Sequence, residues 1–193
     1  MTKENSTQEM RDPTHQHTEP NAQQLKDIYL AGGCFWGTEH YFKQIDGVVA
    51  TEVGYANGNT QNPTYEEVCT GETHFAETVH LQYDPSKVNL AFLLDLYFHA
   101  IDPTSLNQQG NDHGTQYRTG IYYVNAADEP IITQFMSEQQ EKVNGQICVE
   151  VLPLRNFYQA EAYHQNYLDK HPNGYCHIPR RLMEFARRAK PKN

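Results

Sequence analysis

The apolar residues of the chain fall into short strand-like runs that alternate with helical repeats. Five runs rich in β-branched and aromatic residues predict strands. They are residues 28–31, 48–53, 79–83, 117–124 and 147–152. Helical spacing and helix-end signals predict helices in four further segments. They are residues 34–45, 84–101, 128–145 and 160–168. The alternation has no internal repeat, which indicates an α/β or α+β sandwich.

The two ends of the chain differ in composition from the segment between them. Residues 1–25 are rich in Thr, Gln, Glu, Asn and Pro, and they hold too few apolar residues to offset the entropy of ordering. We expect a disordered polar tail there, in which His15 and His17 are solvated rather than bound to a metal. Residues 179–193 form a basic terminal segment. One ordered domain is therefore expected over residues 26–178.

The charge and the cysteine content of the chain limit which binding partners and which cellular compartment are expected. With 15 basic and 24 acidic residues the formal net charge is −9, which disfavours nucleic acid and anionic membrane surfaces as partners. The start of the chain has no apolar signal-peptide core, and no segment is apolar over the roughly 18 residues of a membrane span. The four cysteines lie far apart, unlike the framework of a small secreted domain. We expect a cytoplasmic protein with free thiols and a small or neutral substrate.

The stretch AGGCFWG at residues 31–37 holds the strongest candidate for chemistry. It places Cys34 on the first turn of a predicted helix, where unpaired N–H groups and the helix dipole stabilise an anion. We therefore expect the thiol pKa of Cys34 to be lowered. Phe35 and Trp36 follow directly and could wall an apolar pocket for a small methyl-bearing ligand. A buried structural thiol in a tight strand-to-helix turn, with the two aromatic residues in the core, is the alternative.

Several motifs together resemble one family of enzymes. They are GCFWG at 33–37, VGYANG at 53–58, PTYEEVCTGETHFAE at 63–77, NDHGTQYR at 111–118 and AEAYHQNYL at 160–168. In this order they resemble the A-type methionine sulfoxide reductases, the peptide-methionine (S)-S-oxide reductases, from about residue 27 to residue 178. The resemblance implies a two-layer α/β sandwich, and we expect an α+β fold with a mixed sheet and a ferredoxin-like core.

The resemblance also implies a reaction and a set of site residues. A cysteine thiolate attacks the sulfur of methionine S-sulfoxide, free or in proteins, releasing methionine and leaving a sulfenic acid. Matching the motifs assigns the nucleophile, the methyl pocket, the acid that protonates the sulfoxide oxygen, two hydrogen-bond donors to that oxygen and a contact to the substrate backbone. Cys34 is the nucleophile, Phe35 and Trp36 form the methyl pocket, and Glu77 is the acid. Tyr65 and Tyr117 are the two hydrogen-bond donors, and Asp112 makes the contact to the substrate backbone. No cofactor and no metal is expected.

The chemistry of sulfoxide reduction agrees with an acid at Glu77. A sulfoxide oxygen leaves only when it is protonated, which requires a carboxylic acid that burial keeps neutral near pH 7. Phe75, Ala76 and Val79 flank Glu77 with apolar side chains. The family commonly has a histidine where this chain has Phe75, and we expect no role for the neighbouring His74. Without the family match, a solvent-facing glutamate on a strand would be the preferred interpretation of Glu77.

A sulfenic acid is normally returned to a thiol through a disulfide with a second cysteine. Cys176 lies in the turn-rich stretch PNGYCHI and resembles the resolving cysteine of the family subgroup that has GYCHI. Cys69, at a predicted strand end, and Cys148, in the apolar run ICVEV, are expected to be inert core thiols. The family resemblance implies thioredoxin as the reductant of the disulfide. A monomer is the default expectation.

Two other functions remain as alternatives. A cysteine hydrolase would use Cys34 with His113, His164 or His177 as base, and it would form no disulfide. A metal-binding protein would use Cys34, Cys176 and His177, with or without Cys69, although these residues lack the usual ligand spacing. The pair Glu161 and His164 has helical spacing and is expected to lie on a surface turn of helix.

Overall fold

The computed structural model describes residues 24–192, so most of the predicted polar tail, with His15 and His17, lies outside the described residues. The strands are β1 Lys26–Gly32, β2 Val48–Ala56, β3 Ala76–Tyr83, β4 Gln108–Gln109, β5 Asp112–His113, β6 Thr119–Tyr123, β7 Glu150–Pro153 and β8 Phe157–Gln159. The helices are α1 Phe35–Phe42, α2 Tyr65–Cys69, α3 Leu90–Ala100, α4 Asp128–Lys142, α5 Tyr167–Lys170 and α6 Arg180–Arg188. Two 3₁₀ turns cover Thr115–Tyr117 and Ala162–His164.

Six strands form one mixed sheet in the order β7-β6-β1-β3-β2-β8, and β4 pairs with β5 in a separate hairpin. Every neighbouring pair in the large sheet is antiparallel except β6 and β7. These two strands are parallel because the long connection between them, which contains α4, returns the chain to the same edge. The predicted α+β fold with a mixed sheet is confirmed.

The core fixes the carboxyl end of β1, from which the chain enters α1. Tyr97 of α3 is buried, and its hydroxyl donates to the carbonyl of Ala31 at 2.6 Å and accepts from the N–H of Gly120 at 3.1 Å. Tyr41 of α1 donates to the carbonyl of Leu96 at 2.6 Å. Buried hydrogen bonds of this kind are costly to leave unmade, so α1, α3 and the central strands are held in one arrangement.

Two helix predictions were wrong in their extent. The helix expected from residue 84 begins at Leu90, because Asp84 to Lys87 form a turn and the Asn89 side chain caps the helix by accepting the N–H of Phe92. The helix expected over 160–168 is a 3₁₀ turn followed by α5. Asn166 between them has a left-handed backbone with φ 52°, which interrupts the α-helical path.

Three strand assignments also differ from expectation. Cys69, expected at a strand end, is the last residue of helix α2, whose start Thr64 and Glu67 stabilise with a capping box. Tyr117, expected in a strand, lies in a 3₁₀ turn. The strand expected from residue 147 begins at Glu150. The short strand β8 and the amphipathic helix α6, which buries Met183 and Ala186, were not predicted from the sequence.

Candidate active site

Cys34 lies at the junction where β1 ends and α1 begins. It is the N-cap residue of α1, and only 8 % of its surface is exposed. The tight junction depends on Gly33, which has a positive φ of 85°. A methyl group at Gly33 would lie 2.7 Å from the Cβ of Gln109, so only glycine allows this backbone path. The sequence therefore predicted the position of Cys34 correctly.

The predicted lowering of the Cys34 pKa was wrong. The backbone N–H groups of Trp36 and Gly37 do lower the pKa, as expected for a helix start, although the Cys34 side chain makes no capping hydrogen bond. Burial raises the pKa by more, and the negative charge of a Glu77 carboxylate raises it further, so the thiol pKa lies well above its usual value. A helix end contributes only about 1 kcal/mol, which is less than the cost of burying a thiolate. Cys34 is therefore a neutral thiol in the resting site.

Glu77 lies on β3 directly opposite Tyr55 of β2, and 2 % of its surface is exposed. Its Oε2 accepts the backbone N–H of Phe35 at 3.0 Å, which joins the carboxyl group to the residue after Cys34. Burial, with a smaller contribution from the charge of Asp112, raises the pKa of Glu77 to about 8 despite that hydrogen bond. The carboxyl group is thus mainly protonated at neutral pH.

The apolar setting expected for Glu77 is present. Phe75 is buried with its ring edge-on to Tyr158, and a methyl group at Gly58 would lie only 2.2 Å from the Phe75 ring. Exclusion of water by these rings is consistent with the raised pKa of Glu77. His74 is exposed, and its carbonyl oxygen accepts a hydrogen bond from Arg118 on the outer side of the segment.

Tyr65 and Tyr117 both interact with the charge of Glu77. Burial raises both pKa values. A hydrogen bond to the Cys69 thiol and the charge of Glu77 add to the effect at Tyr65, while Glu77 and then Cys34 add to it at Tyr117. Both phenols are consequently protonated near neutral pH and can donate hydrogen bonds to an oxygen placed beside Glu77.

Phe35 and Trp36 form an aromatic wall that His164 completes. The Trp36 Nε1–H donates to Nδ1 of His164 at 2.9 Å, and the indole stacks on Tyr167 with ring centroids 3.7 Å apart. The Phe35 ring is buried, 5.0 Å from the imidazole of His164. These contacts fix the orientation of the only tryptophan in the chain.

The expectation that His164 lies on a surface turn was wrong. The imidazole is 1 % exposed, and burial lowers its pKa, so it is neutral and can accept the indole proton at Nδ1. The other nitrogen, Nε2, lies 3.6 Å from Glu161, which also accepts from the hydroxyl of Tyr55. The single tryptophan could have indicated this role in the sequence, because a partly buried indole N–H needs an acceptor and a histidine can supply one.

Asp112 occupies the short strand β5 at the edge of the site. Its Oδ2 accepts the hydroxyl of Tyr175 at 3.0 Å. Burial and this hydrogen bond raise the pKa of Tyr175 to about 12. Because Tyr175 directly precedes Cys176, the contact joins the segment of Cys176 to the rim of the Cys34 site.

Cys176 lies against the first turn of α1. A methyl group on Gly37 would be 3.0 Å from the Cys176 Sγ. The sulfur therefore packs against Gly37, which follows Cys34 by three residues in the sequence. Cys176 is half-buried, and its thiol donates to the carbonyl of Ile178 at 3.3 Å. All four cysteines are free. The expectation that Cys69 and Cys148 are core thiols was wrong, because Cys69 is exposed and Cys148 is half-buried.

The geometry does not favour the two alternative functions. Among the described residues no group of three or more His, Cys, Asp or Glu side chains is arranged to hold a metal ion. His113 is exposed, His164 is bonded to Trp36, and His177 donates to the carbonyl of Gly32. None of the three shares a hydrogen bond with Cys34 within residues 24–192, whereas a hydrolase nucleophile requires a paired base. No helix in this part of the chain is long and apolar enough to cross a membrane.

Comparison with known proteins agrees with this geometry. The profile of the family described as peptide methionine sulfoxide reductase matches residues 26–192. The peptide methionine sulfoxide reductase MsrA of Clostridium acetobutylicum is 56% identical over 160 residues, which cover 83% of this chain and 99% of the relative.

Two solved structures of Mxr1 from Saccharomyces cerevisiae are also similar. The reduced form is 41% identical with a TM-score of 0.76, and the match covers 83% of this chain and 93% of Mxr1. Mxr1 in complex with Trx2 is 30% identical with a TM-score of 0.55, and the match covers 79% and 91% of the two chains. The chain is thus an oxidoreductase that belongs to the peptide methionine sulfoxide reductase family.

Proposed function

We propose that this protein reduces the S-epimer of methionine sulfoxide, free or in proteins, to methionine by attack of the Cys34 sulfur on the sulfoxide sulfur. One observation carries the proposal. A carboxyl group that is protonated at neutral pH, Glu77, is hydrogen-bonded to the residue that follows the candidate nucleophile. The reaction needs this combination because the sulfoxide oxygen must gain a proton as the nucleophile reaches the sulfur.

Glu77 acts as the acid, and Tyr65 and Tyr117 donate hydrogen bonds to the sulfoxide oxygen. The raised pKa values of all three groups support these roles, since each keeps its proton near pH 7. Donors already aimed at the position where negative charge develops stabilise the transition state without reorganisation.

The proton balance of the first step fits the resting site. Cys34 is a neutral thiol and Glu77 a neutral acid, so neither group reacts readily in the absence of substrate. When Glu77 protonates the sulfoxide oxygen, the Cys34 sulfur attacks and loses its own proton to the Glu77 carboxylate. The products are methionine and a sulfenic acid at Cys34, whose oxygen comes from the sulfoxide.

The substrate methyl group binds against Phe35 and Trp36, and Asp112 contacts the substrate main chain. Aromatic walls suit a methyl group because they offer a large apolar surface with little flexibility. The hydrogen bond from Trp36 to His164 and the stacking on Tyr167 support this assignment, because they hold the indole in one orientation.

Cys176 resolves the sulfenic acid, and thioredoxin then reduces the resulting disulfide. The packing of the Cys176 sulfur against Gly37 supports the first assignment. The complex of Mxr1 with Trx2 supports the second. The disulfide forms with loss of one water molecule, and two electrons from thioredoxin restore both thiols.

Four broader expectations belong to the same proposal. The catalytic domain spans residues 26–178 and works as a cytoplasmic monomer. Its core is a two-layer, ferredoxin-like sandwich, which the antiparallel order β6-β1-β3-β2 of the central strands supports.

A single turnover tests the proposal. The reduced protein is mixed with excess racemic methionine sulfoxide peptide and no reductant, and methionine, free thiols and the remaining epimers are counted. We expect about one methionine per protein, two thiols lost and only the S-epimer consumed. Cys34→Ser should form no methionine, whereas Cys148→Ser, the matched control, should behave as the wild type. Absence of methionine from the wild-type protein, with all thiols intact, would refute the proposal.

A further inference from the structure

His177 directly follows Cys176, and the roles assigned above do not use it. Its imidazole fills the space that glycines leave beside Cys34. A methyl group at Gly33 would lie 3.1 Å from the His177 Nε2, and one at Gly37 would lie 3.0 Å from its Nδ1. Glycines on both sides of Cys34 therefore allow the ring to lie against the backbone of the nucleophile.

One hydrogen bond determines the tautomer of His177. Nε2 lies 2.9 Å from the carbonyl oxygen of Gly32. A carbonyl oxygen can only accept, so Nε2 carries the hydrogen and Nδ1 carries the free lone pair. Nδ1 is buried and has no hydrogen-bond partner among residues 24–192. The ring thus holds an unused proton acceptor in the interior.

The free nitrogen and the Cys176 sulfur both pack against Gly37. A methyl group on Gly37 would lie 3.0 Å from Nδ1 of His177 and 3.0 Å from Sγ of Cys176. The distance between the nitrogen and the sulfur is therefore at most the sum of these two distances. Both atoms face the first turn of α1, whose N-cap is Cys34. The acceptor, the candidate resolving thiol and the backbone of the nucleophile are therefore neighbours.

Cys176 needs a base in order to attack. Burial raises the pKa of its thiol, and the thiol hydrogen is donated to the carbonyl of Ile178. Burial lowers the pKa of His177, and the hydrogen bond to Gly32 and the charge of Asp112 oppose this effect. A neutral imidazole beside a protonated thiol is an arrangement that can activate a cysteine.

We propose that His177 is the base that takes the thiol proton of Cys176 when Cys176 attacks the sulfenic acid at Cys34. The inference rests on the proposed function, because it concerns its second step. The Cys176 sulfur forms the S–S bond while the S–O bond of the sulfenic acid breaks. The proton moves from Cys176 to Nδ1 of His177 and then to the departing hydroxide, which leaves as water. Atoms and electrons balance without a further reactant.

The pH dependence of disulfide formation follows from the groups around His177. The charge of Asp112 acts on the His177 imidazole, and Asp112, Cys34 and Cys176 in turn act on the neighbouring Tyr175. If His177 is the base, the rate in the wild type should be nearly constant from pH 7 to 8, because the imidazole is already neutral. A thiol that ionises unaided would react about tenfold faster per pH unit over that range.

His177→Gln tests the assignment, because glutamine retains an N–H for the Gly32 carbonyl but has no basic nitrogen. Methionine release and thiol loss are followed separately in a single turnover between pH 6 and 9. We expect methionine release within about twofold of the wild type, and thiol loss at least ~10-fold slower at pH 7 with a rate that rises steeply with pH. His99→Gln, which removes an exposed imidazole on α3, is the matched control and should change neither rate.

Three results separate the possible failures. The inference would be overturned if His177→Gln lost thiols at the wild-type rate and with the wild-type pH profile. It would also be overturned if the variant were slower by the same factor at every pH, because His177 would then only position Cys176. If the variant does not fold, a tenfold rise in the wild-type rate from pH 7 to 8 would overturn it. Failure of the wild type to release methionine would refute the proposed function itself.

Discussion

Replacing Glu77 with glutamine should slow the reaction and stabilise the fold at the same time. Glutamine has the same shape, and its amide oxygen can accept the Phe35 N–H as the carboxyl group does. It cannot give a proton to the sulfoxide oxygen. Because general acid catalysis contributes roughly 10²- to 10⁴-fold, we expect methionine release at pH 7 to fall by about that factor.

The stability effect follows from the raised pKa of Glu77. The unfolded chain releases this proton near pH 4.5, whereas the folded protein keeps it to about pH 8. Between those values the folded state binds more protons, so the free energy of unfolding falls as pH rises, by about 1.4 kcal/mol per pH unit. The wild type therefore loses about 3 kcal/mol by pH 7 and about 4 kcal/mol by pH 8 relative to acid pH. Glutamine has no proton to lose and avoids this cost.

Urea denaturation of the reduced protein between pH 5 and 8.5 measures the effect. The stability of Glu77→Gln should exceed that of the wild type by an amount that is small at pH 5 and about 3 kcal/mol at pH 7. Glu141→Gln, at an exposed site on α4, should show no such gain. A difference that does not grow with pH would refute the reasoning, because the buried carboxyl would then not hold its proton. The wild-type rate of methionine release should also decline above about pH 8, as Glu77 ionises.

Two further substitutions test the aromatic wall and the resolving segment. Trp36→Phe removes the hydrogen bond to His164, which is worth about 1 kcal/mol. The KM for a sulfoxide peptide should therefore rise about fivefold, with a smaller change in kcat. An unchanged KM would contradict the assigned methyl pocket. Gly37→Ala places a methyl group 3.0 Å from the Cys176 sulfur and from the His177 ring. Thiol loss should then become slower than methionine release, and equal rates for both steps at the wild-type level would show that the segment does not need this contact.

Local features of the sequence were enough to place the nucleophile and much of the sheet. Gly32, Gly33 and the helical spacing after Cys34 predicted the strand-to-helix junction, because tight turns and helix starts depend on residues near in sequence. The strands β1, β2, β3, β6 and β7 and most of helix α3 followed from the pattern of apolar residues for the same reason. The apolar flanks of Glu77 were also visible in the sequence.

Only the tertiary structure decided the electrostatics of the site. The Cys34 pKa rises because the surrounding elements exclude water and, to a smaller extent, because β3 brings Glu77 close. Neither cause is local in sequence. His164 is an interior acceptor because its segment folds over Trp36, 128 residues earlier. The base proposed for Cys176 is likewise a histidine, His177, that packs against Gly33 and Gly37, which are far from it in sequence. Burial and long-range pairing are properties of the assembled fold, so a pattern along the chain can name these residues but cannot determine their charge.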